Sequence, residues 1–175
     1  MSKVLLKKKL ASMSKTEIIG LVAELYDAKK EAKDYLDYWV NPDEETKLEE
    51  YKKIIQDEFY PADRREPKMR FSVCKKAISD YKKLKPSPRA VAELMLCLVS
   101  NACQFTADYG DMWEAYYESL SSNFSALLKH VDKSGLFEEY RPRLEKCAAL
   151  VEDCGWGIGD DMWDMFYEID AKYLP

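Results

Sequence analysis

The chain has 175 residues, the size of one domain, since a domain usually holds roughly 100–200 residues. Apolar residues make up 47% and charged residues 34%, which allows a core and excludes a disordered chain. Only 6 glycines and 7 prolines are present, too few for an all-β protein with its frequent turns. The single histidine, His130, excludes His-rich metal sites, and we expect it to have a structural or surface role.

The charge of the chain is unevenly distributed. The formal net charge is −5, but residues 1–85 carry +4 and residues 86–175 carry −9. Such polarity can steer a charged partner or orient self-association, although charged helix surfaces are also common without that role. We expect the C-terminal half to repel phosphate groups.

The cysteine content and the hydropathy pattern both favour a cytoplasmic protein. The five cysteines lie in apolar helical patterns without a C-x-x-C motif, so we predict free, structural thiols in a reducing compartment; they are Cys74, Cys97, Cys103, Cys147 and Cys154. Val4-Leu5-Leu6 is too short for a signal peptide. No run approaches the ~18 apolar residues of a membrane span, so we expect no membrane contact.

The N-terminal region predicts two helices. A short basic helix covers about 3–11. Ser14 and Glu17 have the spacing of a capping box, in which each side chain accepts a hydrogen bond from the other residue's amide. A long helix is therefore predicted over about 14–40, because its apolar residues share one helical face; they are Ile18, Val22, Leu25, Ala32, Tyr35, Leu36 and Trp39.

The remainder predicts three helical hairpins, over about 43–84, 88–133 and 136–173. Proline is favoured in the first turn of a helix, so we expect one helix to begin at Pro67 and another at Pro88, the latter capped by Ser87. No run alternates apolar and polar residues between turn signals, so no sheet is expected. The predicted fold is a single all-α domain, 1–175, with about seven to eight helices.

An internal similarity suggests how these hairpins are arranged. Residues 110–118 resemble residues 159–168, each with a Gly-Asp turn followed by an aromatic helix, at an offset of 50 from Met112 onward. The same offset pairs Leu94 with Leu144. Repeated hairpins of this length favour a short HEAT-like superhelix. The alternative is a multi-helix bundle in which the likeness is accidental.

An acidic helix start raises the possibility of a metal site. Residues 160–164 read D-D-x-x-D, and carboxylates on adjacent turns are ligands that Mg²⁺ accepts. Isoprenoid synthases use this spelling, but they are longer and need a second metal motif, which is absent from this sequence. Acidic residues in a first turn also stabilise the helix dipole without metal. We predict no metal or cofactor; the weak candidate ligands are Asp160, Asp161, Asp164 and Glu168.

A basic segment, 64–85, holds nine Lys and Arg residues. Lys68, Lys75 and Lys82 repeat every seven residues, and such a stripe could bind phosphates. The stripe also lies opposite an apolar face, as a solvated surface does, and the sequence pI is about 5.1. Nucleic-acid binding through this segment is the alternative that we expect not to hold.

Arg70 and three tryptophans are the candidate binding residues. On a helical wheel that starts at Pro67, Arg70 falls on the apolar side, so it must either pair with a carboxylate or line a groove. Asp160, Asp161 and Asp164 are the candidate partners. Trp156, between two glycines, is expected to pack while the chain turns, or to form a groove rim; the full binding set is Arg70, Trp113, Trp156 and Trp163.

Two segments carry a resemblance to a known family. Residues 68–84 read KMRFSVCKKAISDYKKL, and Gly155-Trp156-Gly157 precedes an acidic aromatic helix. On these segments the chain resembles a family of small uncharacterised bacterial proteins, known only as a domain of unknown function. The resemblance implies an intracellular bacterial protein, and it carries over no catalytic residue.

These observations favour a non-catalytic function. We predict a small interaction module whose groove or aromatic face binds another protein or a second copy of itself. The two alternatives are a nucleic-acid-associated protein using residues 64–85, and a metal-dependent enzyme using Asp160, Asp161 and Asp164. A large exposed apolar patch would favour the interaction module, a continuous basic surface would favour nucleic-acid binding, and carboxylates that converge in a pocket would favour the enzyme.

Overall fold

A computed structural model describes residues 2–174 and contains nine α-helices and no strand within them. The all-α prediction is confirmed, but the expected seven to eight helices are too few. The helices are α1 (Lys3–Ala11), α2 (Lys15–Ala28), α3 (Lys30–Val40), α4 (Glu44–Phe59), α5 (Phe71–Lys83), α6 (Pro88–Tyr109), α7 (Glu114–Lys133), α8 (Phe137–Ala149) and α9 (Ile158–Asp170).

The chain divides into two compact units. Unit 1 is Met1–Asp43 and contains α1 to α3, and unit 2 is Glu44–Pro175 and contains α4 to α9. The prediction that the whole chain forms one domain stays a prediction.

The additional helix lies in unit 1, where two helices replace the single long helix that we expected over about 14–40. The capping box is confirmed, because Ser14 Oγ accepts from Glu17 N at 3.2 Å and Ser14 N donates to Glu17 Oε2 at 2.7 Å. The single long helix over 14–40 is wrong, because Lys29 has extended backbone angles between α2 and α3. The two helices then pack together as a hairpin.

The helix break is stabilised from a distance rather than by the local sequence. The residue at the break is a lysine, Lys29, and not a glycine or a proline, the residues that usually end a helix. Across the hairpin, the Tyr26 hydroxyl donates to Asp37 Oδ1 at 2.9 Å, and the Lys33 ammonium lies 5.4 Å from the Tyr26 ring centre. These are contacts between α2 and α3, which a propensity argument along one helix does not include.

In unit 2, α6 is the central helix. It begins as predicted, with Pro88 in the first turn and Ser87 Oγ accepting from Ala90 N at 3.2 Å. By length and composition alone, α6 is apolar enough to cross a membrane, unlike the expectation from the sequence. However, 72% of its most apolar 18-residue window is buried within the protein, as in the core helix of a globular unit.

Consecutive helices of unit 2 pack as hairpins, and the hairpins pack on one another. The hairpin pairs are α4 with α5, α6 with α7, and α8 with α9. Between hairpins, α4 and α8 both contact α6, and α7 contacts α9. This arrangement brings α7 and α9 side by side.

The first hairpin differs from its prediction at one helix start. We expected a helix from Pro67, but α5 begins at Phe71. The preceding loop is folded back on α4, because the amides of Lys68 and Met69 both donate to the carbonyl of Glu58, at 3.0 and 2.9 Å. Met69 has a φ of 48°, which is incompatible with a right-handed helix.

The five cysteines are free, and four of them are buried while Cys154 is half-buried. Burial raises the pKa of the Cys74 thiol to about 12 and that of Cys97 to about 11. These two thiols are therefore protonated at neutral pH, and they act as small apolar side chains in the core.

Candidate binding groove

An open groove of about 560 Å³ lies between α7 and α9. Its volume is in the range of small-molecule sites. The groove is lined by Glu114, Tyr117, Glu118, Ser121, Ser122, Ser125, Trp156, Ile158, Asp161 and Met165.

The α7 wall is built from one helical face. Its lining residues occur between Glu114 and Ser125 at spacings of three and four, which place side chains on adjacent turns of the same face. At the Glu114 end the wall is acidic, because Glu118 lies one turn further on. Towards Ser125 the side chains are serines, and their small size leaves the groove open.

The α9 wall lies close to the preceding turn because of a glycine. A Cβ atom at Gly159 would lie 2.5 Å from the carbonyl oxygen of Glu152 and 2.9 Å from its Cα. Only glycine allows this approach, since both atoms belong to backbone that cannot rotate away. Asp161 and Met165, one turn apart on α9, both line the groove.

Trp156 forms the rim of the groove. Its side chain is 61% exposed and its φ is 60°, a left-handed conformation that is uncommon for bulky residues. We expected this tryptophan to pack while the glycines turned the chain, and that expectation is wrong. The side chain lies instead at the edge of the groove, and its role as the rim of a binding groove stays a prediction.

A hydrogen-bond cluster holds the Trp156 loop to α7. Asp111 Oδ1 accepts from the Tyr117 hydroxyl and, at 3.1 Å, from the amide of Gly155. The same hydroxyl accepts from the amide of Met112 at 3.1 Å and lies 2.7 Å from Thr106 Oγ1. The hydrogen bond from Tyr117 and the Gly155 amide lower the pKa of Asp111, whereas burial raises the pKa of Tyr117.

Tyr117→Phe is expected to destabilise unit 2 by about 1 kcal/mol, because the amide of Met112 and the Asp111 carboxylate each lose a partner. Faster hydrogen exchange at Gly155 should accompany the loss. Chemical denaturation and amide exchange measure the two effects. Tyr167→Phe is the control, because Tyr167 is exposed. Unchanged exchange at Gly155 in Tyr117→Phe would contradict a role for the cluster in holding the loop.

The groove carries negative charge without a compensating cation. Glu114, Glu118 and Asp161 line it, and none of the three forms an ion pair with another residue of the described chain. No lysine or arginine is among the lining residues. The groove is therefore electrostatically complementary to a cation.

The structure brings together only part of the predicted site. Trp156 and Asp161 line the groove, whereas Trp113 and Trp163 do not. Trp113 lies at the start of α7 with its ring centre 5.6 Å from that of Tyr116. Trp163 is half-buried and stacks on the exposed ring of Tyr167 at 5.3 Å.

The proposed metal ligands do not form a cluster. Among residues 2–174, no group of three or more His, Cys, Asp or Glu side chains is arranged to hold a metal ion. Asp161 faces the groove, and the other three candidates, Asp160, Asp164 and Glu168, do not line it. The carboxylate-metal hypothesis therefore receives no geometric support from this helix.

Arg70 is held by a carboxylate, but not by the ones we expected. Its Nε donates to Glu58 Oε2 at 2.9 Å, its Nη2 to Oε1 at 2.6 Å, and its amide to Oε2 at 3.1 Å. The Arg70 side chain is 49% exposed, whereas that of Glu58 is only 4% exposed. The hydrogen bond from Arg70 keeps the pKa of Glu58 below its ordinary value. The predicted pairing with Asp160, Asp161 or Asp164 is wrong.

The basic segment 64–85 is partly neutralised within its own neighbourhood. Lys76 and Lys83 both pair with Asp80. Arg65 pairs with Asp57 and Asp63. The lone histidine, outside this segment, has its Nε2 2.8 Å from the carbonyl of Pro88, so it joins α7 to the start of α6.

Sequence reasoning missed the α7 wall. Glu114, Glu118, Ser121 and Ser125 were not candidates, although their spacing of four and three along one helix is visible in the sequence. What the sequence did not show is that α9, and not another helix, lies opposite them. Nothing in the sequence indicated Glu58 as the partner of Arg70, because Glu58 lies near the end of an ordinary amphipathic helix.

A comparison with family models gives one result. A model described as a family of unknown function, DUF6155, matches residues 1–159. The chain belongs to this family. No curated protein and no solved structure matches it. The matched range ends at the start of α9, so Asp161 and Met165 lie beyond it.

Proposed function

We propose that this DUF6155 protein is a non-catalytic interaction module, and that its groove between α7 and α9 binds a basic segment of a partner protein. One observation carries the proposal: three carboxylates without ion-pair partners line an open groove beside an exposed tryptophan. A lysine or arginine side chain satisfies both features, because it pairs with carboxylates and is attracted to the face of an indole.

The dimensions of the groove suit a short extended peptide. From Glu114 to Ser125 the α7 wall spans about 16 Å, at about 1.5 Å per residue. An extended chain rises about 3.3 Å per residue, so about five residues fit along the wall. The hydroxyls of Ser121 and Ser125 are suited to hydrogen-bond the backbone of such a peptide.

The arrangement of helices supports this mode of binding. We propose that α4 to α9 form a short HEAT-like array, with α4, α6 and α8 as one layer and α5, α7 and α9 as the other. The hairpin pairing, the packing of α7 on α9 and the offset of 50 between similar segments support the array. Arrays of this kind bind partners along an extended concave surface, and a groove between two helices of one layer would be part of such a surface. The free cysteines fit a reducing compartment, and we propose a cytoplasmic location.

The proposal predicts specific losses of binding after charge reversal. The probe is a fluorescein-labelled octapeptide of alternating lysine and serine, followed by fluorescence anisotropy. Asp161→Lys and Glu118→Lys should each weaken binding at least tenfold, because each removes an attraction and adds a repulsion. Binding to the wild type should weaken as salt is raised.

Asp164→Lys is the matched control, because Asp164 lies on the same helix, is exposed and does not line the groove. It should change the affinity less than threefold. An equal loss in Asp164→Lys and Asp161→Lys would show that the peptide responds only to overall charge. No binding to the wild type at millimolar peptide would also contradict the proposal.

A further inference from the structure

We propose that a cavity between the α4–α5 loop and the C-terminal end of α6 binds a small zwitterion, in which an alkylammonium group is joined by a short linker to a phosphate or carboxylate. The cavity has a volume of about 440 Å³, within the range of small-molecule sites. All its lining residues belong to unit 2, and none of them lines the groove between α7 and α9. The inference is therefore independent of the proposed function.

The loop that forms one wall of the cavity is fixed at both ends by backbone hydrogen bonds. Near its start, the amide of Arg64 donates to the carbonyl of Pro61 at 3.1 Å. At its end, the amides of Lys68 and Met69 both donate to the carbonyl of Glu58. Because these bonds order the loop before a ligand arrives, little conformational entropy remains to be lost on binding.

Three aromatic side chains, Phe59, Tyr60 and Tyr109, line the cavity. The ring centres of Tyr60 and Tyr109 are 6.4 Å apart, and the ring centre of Tyr109 lies 4.6 Å from that of Phe105. The Tyr60 hydroxyl donates to Asp108 Oδ2 at 2.9 Å, which holds the Tyr60 ring in place. Tyr109 is 65% exposed, so its ring is accessible to a ligand. Aromatic rings attract alkylammonium groups, and quaternary ones in particular.

Two opposite charges line the same cavity without pairing. Arg64 and Glu66 are both exposed lining residues, and within residues 2–174 neither forms an ion pair with the other or with any third residue. Arg65, in contrast, pairs with Asp57 and Asp63. A ligand complementary to both charges carries an anion for the Arg64 guanidinium and a cation for the Glu66 carboxylate.

The backbone of Arg64 is strained. Its φ is 59°, in the left-handed region that few residues other than glycine, asparagine and aspartate adopt. Backbone of this kind costs free energy, persists only where the surrounding structure enforces it, and is concentrated at ligand sites. Arg64 is thus both the unpaired cation of the cavity and a residue with a strained backbone, which supports a binding role for it.

The two unpaired charges also select against ligands with a single charge. Glu66 repels a simple phosphate, and Arg64 repels a simple ammonium ion, so each charge disfavours the ligand that the other would attract. Phosphocholine carries a quaternary ammonium and a phosphate on a short linker, and it is therefore the probe for this site.

The test is isothermal titration calorimetry of the full chain with phosphocholine. The wild type should bind it saturably, and choline or inorganic phosphate alone should bind about tenfold more weakly, because each satisfies only one of the two charges. Arg64→Gln should weaken phosphocholine binding about tenfold for the same reason. Lys68→Gln is the matched control, because Lys68 is an exposed cation of the same loop that does not line the cavity. It should bind phosphocholine as the wild type does.

A second variant, Tyr109→Ala, should weaken phosphocholine binding about threefold through loss of the exposed ring, while far-UV circular dichroism shows that the helices are retained. Two further probes distinguish the sources of this chemistry. For a lipid headgroup, phosphatidylcholine vesicles should co-sediment the wild type but not Arg64→Gln. For a soluble ligand, glycerophosphocholine should bind and the vesicles should not. A wild type without saturable binding at about 20 mM phosphocholine, or Arg64→Gln binding as tightly as Lys68→Gln, would overturn the inference.

Discussion

Glu58→Ala is expected to lower the free energy of unfolding of unit 2 by about 2–4 kcal/mol, because it removes a buried carboxylate with three hydrogen bonds from Arg70. The loop between α4 and α5 is anchored at this point, so its amides should also exchange faster. Urea denaturation at pH 7 measures the first effect. Lys75→Ala is the control, because Lys75 is exposed on α5 and forms no ion pair in the described chain.

The same pair predicts an inversion of pH dependence. In the wild-type folded state the pKa of Glu58 lies below its ordinary value. The ionised carboxylate therefore stabilises the folded protein at any pH above the pKa that Glu58 has in the unfolded chain. This stabilisation is lost as the pH falls through the pKa of the folded state. In Arg70→Met the carboxylate keeps its burial but loses its cation, so its folded pKa should rise above the unfolded value. The protonated Glu58 carboxyl is then the form that suits the folded state, so the variant is relatively more stable at low pH and loses stability as the pH rises and the carboxyl ionises.

The difference in stability between the wild type and Arg70→Met should therefore narrow when the pH is lowered from 7 to 4.5. Because the two proteins are compared at the same pH, the pH-dependent contributions of all the other carboxylates, which both proteins share, cancel from the difference in the free energy of unfolding. A difference that stays constant between pH 7 and pH 4.5 would show that Arg70 contributes only packing. Lys75→Met should differ little from the wild type at either pH.

Gly159→Ala is expected to destabilise unit 2 by roughly 2–3 kcal/mol, because the new methyl group would overlap backbone atoms of Glu152. The overlap can be relieved only if α9 moves away from the turn before it. Such a movement would also open the groove, so binding of the lysine-serine peptide should weaken in parallel. Thermal or urea denaturation and the anisotropy titration measure the two effects.

Two other glycines provide controls of different kinds. At Gly155 the three atoms nearest to a Cβ all belong to the Asp111 carboxylate, a side chain that can shift more easily than backbone even though a shift weakens its hydrogen bonds, so Gly155→Ala should cost less than Gly159→Ala. At Gly20 nothing lies within 4 Å, and the residue is inside α2, so Gly20→Ala should not lower stability. Equal losses at Gly155 and Gly159 would contradict the explanation by backbone overlap.

The parts of the fold that could be predicted are those with local causes. The starts of α2 and α6 depend on caps at Ser14 and Ser87, which use only residues three positions away. The break at Lys29 was not predictable in this way, because it is stabilised by contacts between Tyr26 and Asp37 across the hairpin. A continuous apolar stripe is compatible with one long helix or with two.

The error over Arg70 has a specific origin. The helical wheel assumed a helix from Pro67, but Met69 has a left-handed backbone and the helix begins only at Phe71. Arg70 therefore precedes the helix, and the apolar side to which the wheel assigned it does not describe where it lies. The expectation of a carboxylate partner was correct in kind, since a cation beside a core meets an anion, but the identity of Glu58 depended on the fold of the loop.

Only some of the residues that line the groove could be predicted from the sequence. Trp156 and Asp161 stood out by composition, one between glycines and the other in an acidic run. Glu118 and the serines of α7 are ordinary surface residues until α9 is placed opposite them. Since packing of hairpins decides which helices are neighbours, the sequence alone left the two walls unconnected.

The central claim, that the groove binds a basic segment, is tested most directly by locating the bound peptide. Amide and indole chemical shifts of ¹⁵N-labelled protein, recorded while the lysine-serine octapeptide is added, report each position separately. We predict that the largest changes occur at the Trp156 indole, at residues 118–125 of α7 and at residues 158–165 of α9. Changes concentrated outside these positions, or no saturable change at the Trp156 indole, would contradict the claim.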